Sequence, residues 1–392
     1  MKLFLIAGEA SGDKLGGALM AGLKDRAPGI SFEGVGGANM QAEGLQSLFP
    51  MQELSVMGIL EVLPRYFDLK RRIRETAEAV LASDAMALVT IDSPDFCLRV
   101  AKLVKAARPD LKIIHYVAPS VWAWRPKRAE RMARHVDHVL ALLPFEPPYM
   151  ERAGIGCDFV GHPVVAEPRP SPAEVDAIRA DMGLPGNVPL VVALPGSRRG
   201  EVERLSDVFG HALQSVTERH SRARVIVPTV APLVDTVKEA VKGWPGNPVV
   251  LDPRGMAPER ANARKRAAMA AADIALAASG TVSLELAAAR TPMVIAYRMN
   301  AVSAFLIQRM LQIDTVTLVN LVSETRSVPE FLNAACTADN IGPALLDVLD
   351  HPLAQSDAMA ITMDRLGESD LAPGMRAADV VLRVAGIKPL EL

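Results

Sequence analysis

Short aliphatic runs alternate with helical patterns from one end of this chain to the other. Leu3–Ala7, Ala87–Ile91 and Ile113–Val117 have the length and composition of buried strands, and so do Leu190–Leu194 and Ile274–Ala278 further along. Strands that alternate with helices form parallel sheets with helices on both faces. The pattern therefore predicts an α/β fold with Rossmann-like sheets.

A proline cluster at residues 167–172 interrupts this alternation and is the best candidate for a linker. Ser171, Pro172 and Glu174 within and after it match the signature of a helix N-terminus. At roughly 100–200 residues per domain, 392 residues suggest two or three domains, and two is the simplest division. We expect an N-terminal Rossmann-like domain at 1–166, a C-terminal Rossmann-like domain at 167–350, and a helical segment at 351–392 that returns to the first domain. Two such domains are expected to face each other across a cleft that binds ligands at the strand ends.

Charge and cysteine content exclude several classes of protein. Lys and Arg total 43 against 45 Asp and Glu, which argues against a protein that binds nucleic acid through its bulk charge. Three scattered cysteines do not build a disulfide framework, and the first apolar run is too short for a signal peptide. The histidines and cysteines show no metal-ligand spacing. We expect a cytoplasmic enzyme that uses no metal and no cofactor, and that touches a membrane only peripherally.

Two strand ends in the first half carry candidate site residues. The glycine-containing turn with Ser11, Gly12 and Asp13 precedes a helix expected from about residue 14, and such a turn favours bound phosphate or another anion. The alternative is an ordinary strand-to-helix turn. Asp92 follows the strand Ala87–Ile91, where a carboxylate can accept a proton from a substrate hydroxyl. The alternative is a helix cap, a role for which Asp95 is better placed.

Two strand ends in the second half have the residue types that bind a nucleotide diphosphate. Small residues, a hydroxyl and a guanidinium follow Leu190–Leu194, and the guanidinium of Arg198 can stabilise charge on a leaving phosphate. After Ile274–Ala278, a helix N-terminus favours phosphate, and Glu285 can bridge two ribose hydroxyls. The alternative is two ordinary capped helices. The candidate donor-binding residues are Pro195, Gly196, Ser197, Ser279, Gly280, Thr281 and Glu285.

Two basic clusters in the first half suggest contact with anionic lipid. One covers residues 65–74, and the other covers residues 122–134 and begins beside two of the three tryptophans of the chain. Aromatic and basic residues together are typical of lipid interfaces. The alternative is a solvated helix face with two core tryptophans. The candidate membrane-contact residues are Trp122, Trp124, Arg125 and Arg128.

Taken together, these loops resemble one family, the lipid-A-disaccharide synthases, which are inverting glycosyltransferases of the two-domain GT-B class. The long block at residues 115–124 is the most specific part of this resemblance. Two small departures are Ser93, where the family usually has alanine, and Val319, where it commonly has proline. The other matching segments are residues 8–13, 40–44, 56–58, 91–96, 194–198, 278–281 and 297–299.

The resemblance implies a reaction and its participants. A 2,3-diacylglucosamine unit passes from UDP to 2,3-diacylglucosamine 1-phosphate (lipid X), which gives UDP and a β-1′,6-linked disaccharide phosphate for lipid A. It implies that Asp92 and Arg198 are required for activity, and that Glu285 and Asn320 lie near UDP. It also implies a location on the cytoplasmic face of the inner membrane, and a homodimer as one assembly open to the chain.

Two other functions fit parts of the pattern. An enzyme like the UDP-N-acetylglucosamine epimerases also uses two facing α/β halves, but it needs no lipid-binding surface. A two-domain binding protein that closes on a sugar nucleotide would give Asp92 no task. The basic, Trp-containing cluster argues against the epimerase, and Asp92 argues against the binding protein.

Overall fold

The computed structural model describes residues 1–54, 59–123, 127–184, 188–299 and 313–389. The chain divides into two compact units. The N-terminal unit comprises Met1–Ala166 and Leu366–Leu392, and the C-terminal unit comprises Glu167–Arg365. Each unit has its own parallel sheet.

The sheet of the N-terminal unit has seven strands in the order β3-β2-β1-β4-β5-β6-β7, all parallel. The chain proceeds outward from β1 to β3 and then crosses back to β4 beside β1. Ligands bind at such a switch point in α/β sheets. The strands are β1 Lys2–Ala7, β2 Ser31–Val35, β3 Gln46–Ser47, β4 Ala87–Ile91, β5 Lys112–Tyr116, β6 His138–Ala141 and β7 Gly156–Phe159.

Helices cover both faces of this sheet, as parallel strands with fully buried side chains require. Every residue of β4 is buried. The helices are α1 Ala10–Arg26, α2 Ala38–Ala42, α3 Ile59–Ala82, α4 Pro94–Ala107, α5 Lys127–Met132 and α6 Pro147–Glu151.

Helix α3 is longer than its sequence pattern indicates. The pattern predicts a helix at residues 65–81 that Pro64 opens, whereas the helix begins at Ile59. Pro64 therefore lies beyond the first turn, and because proline has no N–H, the helix lacks one backbone hydrogen bond there.

The C-terminal unit repeats the design with six parallel strands in the order β10-β9-β8-β11-β12-β13. Its switch point lies between β8 and β11. The predicted helix start at Ser171 is confirmed, because Ser171 and Glu174 form a reciprocal capping box at α7. The strands are β8 Leu190–Leu194, β9 Arg224–Pro228, β10 Val249–Leu251, β11 Ile274–Ala278, β12 Met293–Tyr297 and β13 Glu330–Leu332.

The helices of this unit pack on its sheet around a core that includes Phe209 and Trp244. The described helices are α7 Pro172–Asp181, α8 Arg199–Arg219, α9 Val234–Ala240, α10 Pro258–Ala271, α11 Val282–Ala289, α12 Leu318–Ser323, α13 Ala338–Asp350 and α14 Ser356–Arg365.

The last helix, α15 (Pro373–Ala385), belongs to the N-terminal unit and packs against α1. Gly22 of α1 lies so close to Gly374 that a Cβ at Gly22 would be 2.9 Å from the Gly374 carbonyl oxygen. Arg26 also donates to Asp379 at 2.9 Å. The units divide at Leu366 rather than at residue 351, because α14 packs on α12 and α11 of the C-terminal unit.

No helix in the described ranges is both long enough and apolar enough to cross a lipid bilayer.

Candidate active site

Asp92 lies at the switch point of the N-terminal sheet and receives a hydrogen bond there. The Ser11 hydroxyl donates to Asp92 Oδ2 at 2.8 Å. Ser11 and Gly12 lie in the first turn of α1, which begins at Ala10 and not at the predicted residue 14. Gly12 permits this approach, because a Cβ there would be 3.1 Å from the Ile91 carbonyl oxygen. Ser11, predicted to lie in an anion-binding turn, is thus placed to orient the carboxylate of Asp92.

The backbone at this sheet edge is strained. Asp92 and Ser93 have φ values of 55° and 40°, and Val117 at the end of the next strand has a φ of 85°. Non-glycine residues seldom adopt positive φ, and a β-branched residue such as valine does so least. The Asp92 N–H donates to the Tyr116 carbonyl at 2.9 Å, so the strained residues of both strands are connected. Strain of this kind is concentrated at functional sites.

Asp13 has a structural role instead of the predicted one in an anion-binding turn. Its carboxylate is buried and accepts hydrogen bonds from the N–H groups of Gly37, Asn39 and Met40 and from the Asn39 side chain, at 2.7–3.1 Å. These donors lie at the N-terminus of α2, where a negative charge is favourable. An anionic ligand would be repelled by this carboxylate, so Asp13 is better explained as an anchor for α2.

Ser93 contributes a hydroxyl that has no hydrogen-bond partner within the described parts of the chain. The hydroxyl is buried against Gly8, where a Cβ would be 2.6 Å from Ser93 Oγ. A buried polar group without a partner destabilises the folded state.

We expect Ser93→Ala to stabilise the protein by about 1 kcal/mol, because it removes a desolvated hydroxyl without removing a hydrogen bond. Thermal unfolding of wild type and variant tests this. Ser83→Ala is the matched control, since the Ser83 hydroxyl donates to the Val80 carbonyl at 2.8 Å and its removal should destabilise. Equal losses of stability in both variants would contradict the prediction.

In the C-terminal unit, the loop after β8 is organised by Glu201, a residue to which the sequence pattern assigned no role. Its carboxylate accepts from the N–H groups of Ser197 and Arg198 at 3.1 and 3.2 Å and from Arg198 Nη1 at 3.1 Å. Gly196, with φ of 127°, leaves the space that the Glu201 side chain occupies. The spacing from Arg198 to Glu201 is that of a capping box. Arginine is not a usual first residue of that motif, so the signal was missed.

Arg198 itself is two-thirds exposed, with a relative side-chain exposure of 66%, and its neighbour Ser197 is exposed. Since Glu201 accepts from the backbone N–H groups of both residues, these groups are not directed toward a ligand. The Ser197 hydroxyl and the Arg198 guanidinium are the groups that this loop presents. Pro195 is buried beneath them at the end of β8.

The loop after β11 lies beside the loop after β8, because β8 and β11 are adjacent parallel strands. Thr281 precedes α11 but its side chain does not cap the helix; the Gly280 carbonyl accepts from the Ser283 hydroxyl at 2.9 Å instead. Ser279 precedes the exposed Gly280, whose φ is 150°. Glu285 is partly exposed and its carboxylate lies 2.5 Å from Lys265 Nζ.

Asn320 does not lie open to a ligand. It is buried, and its side-chain amide makes two hydrogen bonds with the backbone of Val328. It donates to the carbonyl at 2.9 Å and accepts from the N–H at 3.0 Å. The expected contact of Asn320 with UDP is therefore not supported by this arrangement. Its amide instead holds the segment after α12 in place.

Trp122 is buried and is not an exposed membrane contact. This agrees with the alternative of a core tryptophan. Only 8% of it is exposed, its ring packs edge-on against Phe145, and its indole N–H donates to Glu146 at 3.2 Å. Trp124 and Arg125 lie outside the described residues, as do residues 56–58 of the family resemblance. Arg128 is half-buried in α5 and close enough to His115 for its charge to add to burial in lowering the pKa of that imidazole to about 4.

Glu146 is a buried acid whose ionisation opposes folding. Burial raises the pKa of Glu146 from 4.5 to about 7, although hydrogen bonds from Leu143, Trp122 and Leu142 act in the other direction. Between these two values the folded protein holds a proton that the unfolded chain has released. The stability contributed by this group therefore falls as the pH rises through that window.

We expect the free energy of unfolding to fall by about 2.5 kcal/mol from pH 5 to pH 8 in wild type relative to Glu146→Gln, which carries no ionisable group there. Urea unfolding of both proteins across this range measures the difference. Glu151→Gln, which removes an exposed acid of α6, is the control. Parallel pH profiles for wild type and Glu146→Gln would contradict the prediction.

Among the residues that the structure describes, no three His, Cys, Asp or Glu side chains lie together in a way that could hold a metal ion.

Similarity to known proteins indicates the family of this chain. The family model described as lipid-A-disaccharide synthetase matches residues 3–369. A lipid-A-disaccharide synthase from Ruegeria pomeroyi is 62% identical over 97% of this chain and 95% of its own length. One from Rhodospirillum centenum is 46% identical over 97% of this chain and 94% of its own length.

Solved structures share the fold at low sequence identity. The S. aureus MnaA–UDP co-structure matches with a TM-score of 0.65 at 11% identity, covering 100% of this chain and 99% of its own. A UDP-GlcNAc 2-epimerase from Neisseria meningitidis bound to UDP-GlcNAc matches with a TM-score of 0.63 at 10% identity, covering 98% and 99%. These similarities show the two-domain α/β fold alone. The family match and the identity to its curated members show more, and the chain belongs to the lipid-A-disaccharide synthase family.

Proposed function

We propose that this protein transfers 2,3-diacylglucosamine from UDP-2,3-diacylglucosamine to the 6-hydroxyl of 2,3-diacylglucosamine 1-phosphate. The bond between the anomeric carbon and the UDP oxygen breaks, and a bond from that carbon to the acceptor oxygen forms with inversion. The products are UDP and the β-1′,6-linked disaccharide 1-phosphate. Family membership supports this choice of reaction.

The observation that carries the proposal is the carboxylate of Asp92 at the switch point of the N-terminal sheet. It is half-buried, and the Ser11 hydroxyl donates to one of its oxygens. Within the described parts of the chain no hydrogen bond reaches the other oxygen, which is therefore available to accept a proton. A general base must lie within hydrogen-bond reach of the proton that it removes. In this proposal Asp92 takes the proton of the acceptor hydroxyl as that oxygen attacks.

Arg198 is proposed to stabilise the departing diphosphate. Its guanidinium is directed by Glu201 and remains two-thirds exposed, so most of its donors are free to meet phosphate oxygens. Arginine neutralises charge that develops on a leaving phosphate without a metal ion. Ser197, Ser279, Gly280 and Thr281 are proposed to contact the diphosphate, and Glu285 the ribose, from the two loops at the switch point of the C-terminal sheet.

Both substrates carry acyl chains, so we expect the enzyme to take its donor and acceptor from a membrane surface. We propose peripheral contact with the anionic cytoplasmic face of the inner membrane. Arg128 and the exposed Lys127 of α5 support it, as do the exposed Phe67, Lys70 and Arg71 of α3. Trp122 takes no part in this contact. The homodimer implied by the family resemblance stays a prediction.

The epimerase-like alternative is not favoured. The UDP-GlcNAc 2-epimerase from Neisseria meningitidis is only 10% identical to this chain, whereas the curated relatives at 46% and 62% identity are lipid-A-disaccharide synthases.

The test is a mass-spectrometric assay of purified protein with both lipid substrates in detergent, without added metal and with a chelator. Formation of UDP and disaccharide phosphate in equal amounts is the expected result. No product with several acyl-chain lengths would reject the proposal. Product that forms only when Mg²⁺ replaces the chelator would reject the metal-independent mechanism and leave the substrate assignment standing.

A further inference from the structure

Glu146 connects two loops at the edge of the sheet that carries Asp92. One oxygen of its carboxylate accepts the indole N–H of Trp122, in the loop after β5, at 3.2 Å. The other accepts the N–H groups of Leu142 and Leu143, in the loop after β6, at 3.1 and 3.0 Å. One buried side chain therefore holds both loops with three hydrogen bonds.

The loop after β5 reaches Asp92 through a short path of backbone hydrogen bonds. The Asp92 N–H donates to the Tyr116 carbonyl at 2.9 Å, and the N–H of the next residue, Val117, donates to the Leu140 carbonyl at 3.0 Å. Val117 is the strained residue with φ of 85°. Such a conformation persists only where the surrounding structure holds it in place.

The Glu146 carboxylate is buried, and its surroundings include an aromatic pair and a thiol. Phe145 packs on the Trp122 ring at a centroid distance of 5.1 Å. Burial raises the pKa of the Cys157 thiol in β7, and the nearby charge of Glu146 raises that pKa further. A buried carboxylate lowers the stability of the folded state, because burial opposes its ionisation. Glu146 lowers stability, yet it joins the two loops beside the strained backbone of Asp92 and Val117. This combination indicates that the position of these loops matters for function.

We infer that Glu146 is a positioning residue for the transfer reaction: by holding Trp122 and the loop after β6, it keeps Val117 strained and the Asp92 carboxylate aligned. This inference rests on the proposed function. It concerns alignment within the N-terminal unit, so it predicts a loss in the chemical step and not in binding of UDP.

The experiment compares Glu146→Gln and Trp122→Phe with their double variant in the disaccharide assay. Each single substitution weakens the hydrogen bonding between Glu146 and its partners and nearly preserves the shape of the side chain that it replaces. We expect kcat to fall roughly tenfold, since small misplacements of reacting groups have effects of this size or larger. The Kd for UDP should stay within about twofold. The double variant should be no slower than the slower single variant, because both changes break the same connection.

Two controls separate position from general stability. Glu151→Gln removes an exposed acid of α6, and Trp244→Phe changes a buried tryptophan of the other unit that packs on Phe209. Both should keep the wild-type kcat at a temperature well below unfolding. A kcat within about twofold of wild type in both Glu146→Gln and Trp122→Phe would overturn the inference.

Hydrogen exchange of the peptide containing residues 116–118 provides a readout that does not depend on turnover. Faster exchange of Val117 in Glu146→Gln than in Glu151→Gln is expected, and equal exchange would overturn the inference. If the wild type forms no disaccharide, the proposed function fails while this second readout still decides whether Glu146 holds the loop. If Glu146→Gln does not fold, Trp122→Phe serves for both measurements.

Discussion

Replacing Asp92 with asparagine is expected to lower kcat by about 10³-fold, within the usual range for loss of a general base. Asparagine keeps the size of the side chain and an oxygen that can accept the Ser11 hydroxyl, but it cannot take a proton from the acceptor. Because the loops proposed to bind UDP belong to the other unit, the Kd for UDP should be unchanged. Turnover and isothermal titration with UDP measure the two quantities.

The matched control for this variant is Asp95→Asn, which changes an exposed carboxylate three residues along, in the first turn of α4. It should keep the kcat of wild type. If Asp92→Asn lost UDP binding together with turnover, or if Asp95→Asn were equally inactive, the carboxylate of Asp92 would have a structural role and another base would be required.

Replacing Arg198 with alanine is expected to lower kcat/KM by about 10²–10³-fold, since preorganised donors that meet developing charge contribute effects of this order. The loss should appear in both kcat and the KM for the UDP donor, because the guanidinium is proposed to contact the diphosphate before and during departure. Arg198→Lys should recover only part of the rate, because a lysine ammonium cannot make the paired contacts of a guanidinium.

Arg199→Ala is the control, since Arg199 is the next residue, is similarly exposed and pairs with Glu203 on the surface of α8 at 2.8 Å. It should leave both kinetic constants near their wild-type values. Equal losses in the two alanine variants would mean that the positive charge of this helix end matters and that Arg198 has no specific task. An unchanged rate in Arg198→Ala would remove it from the mechanism.

The central strands of both sheets were predictable from sequence because they are fully buried. Ala87–Ile91, Leu190–Leu194 and Ile274–Ala278 are continuous aliphatic runs bounded by turn residues, and the structure places strands there with the same limits. Since parallel strands carry their loops to one edge, their order along the chain also indicated which segments hold candidate site residues. The family match and the curated relatives confirm the predicted lipid-A-disaccharide synthase family, and the two parallel sheets confirm the predicted α/β fold.

The partners of individual polar side chains could not be predicted, because they are set by contacts between distant segments. Asp13 looked like part of an anion-binding turn, yet its carboxylate is used by the N-terminus of α2, more than twenty residues along the chain. Trp122 lies beside basic residues in sequence, which is typical of a lipid interface, but its indole finds a buried carboxylate. Neither partner can be recognised from the residues that neighbour Asp13 or Trp122 in the sequence.

A similar limit applies to residues whose pattern was incomplete. Glu201 follows an arginine at the spacing of a capping box, and only the structure reveals that its carboxylate organises the loop before α8. Asn320 was selected by resemblance, and its amide is paired with Val328. The roles proposed for Asp92 and Arg198 stay predictions until the variants above are measured.

The packing of α15 on α1 has a consequence for the order in which the protein is made. The ribosome synthesises the sheet of the N-terminal unit first, but the helix that covers α1 emerges only after all of Glu167–Arg365. At about 5–20 residues per second, that delay is roughly 10–40 s. During this interval the face of α1 that includes Ala18 and Gly22 has no covering helix. The unit whose synthesis begins first is thus completed only after the other one, and the growing chain depends on α15 to close the core of its N-terminal unit.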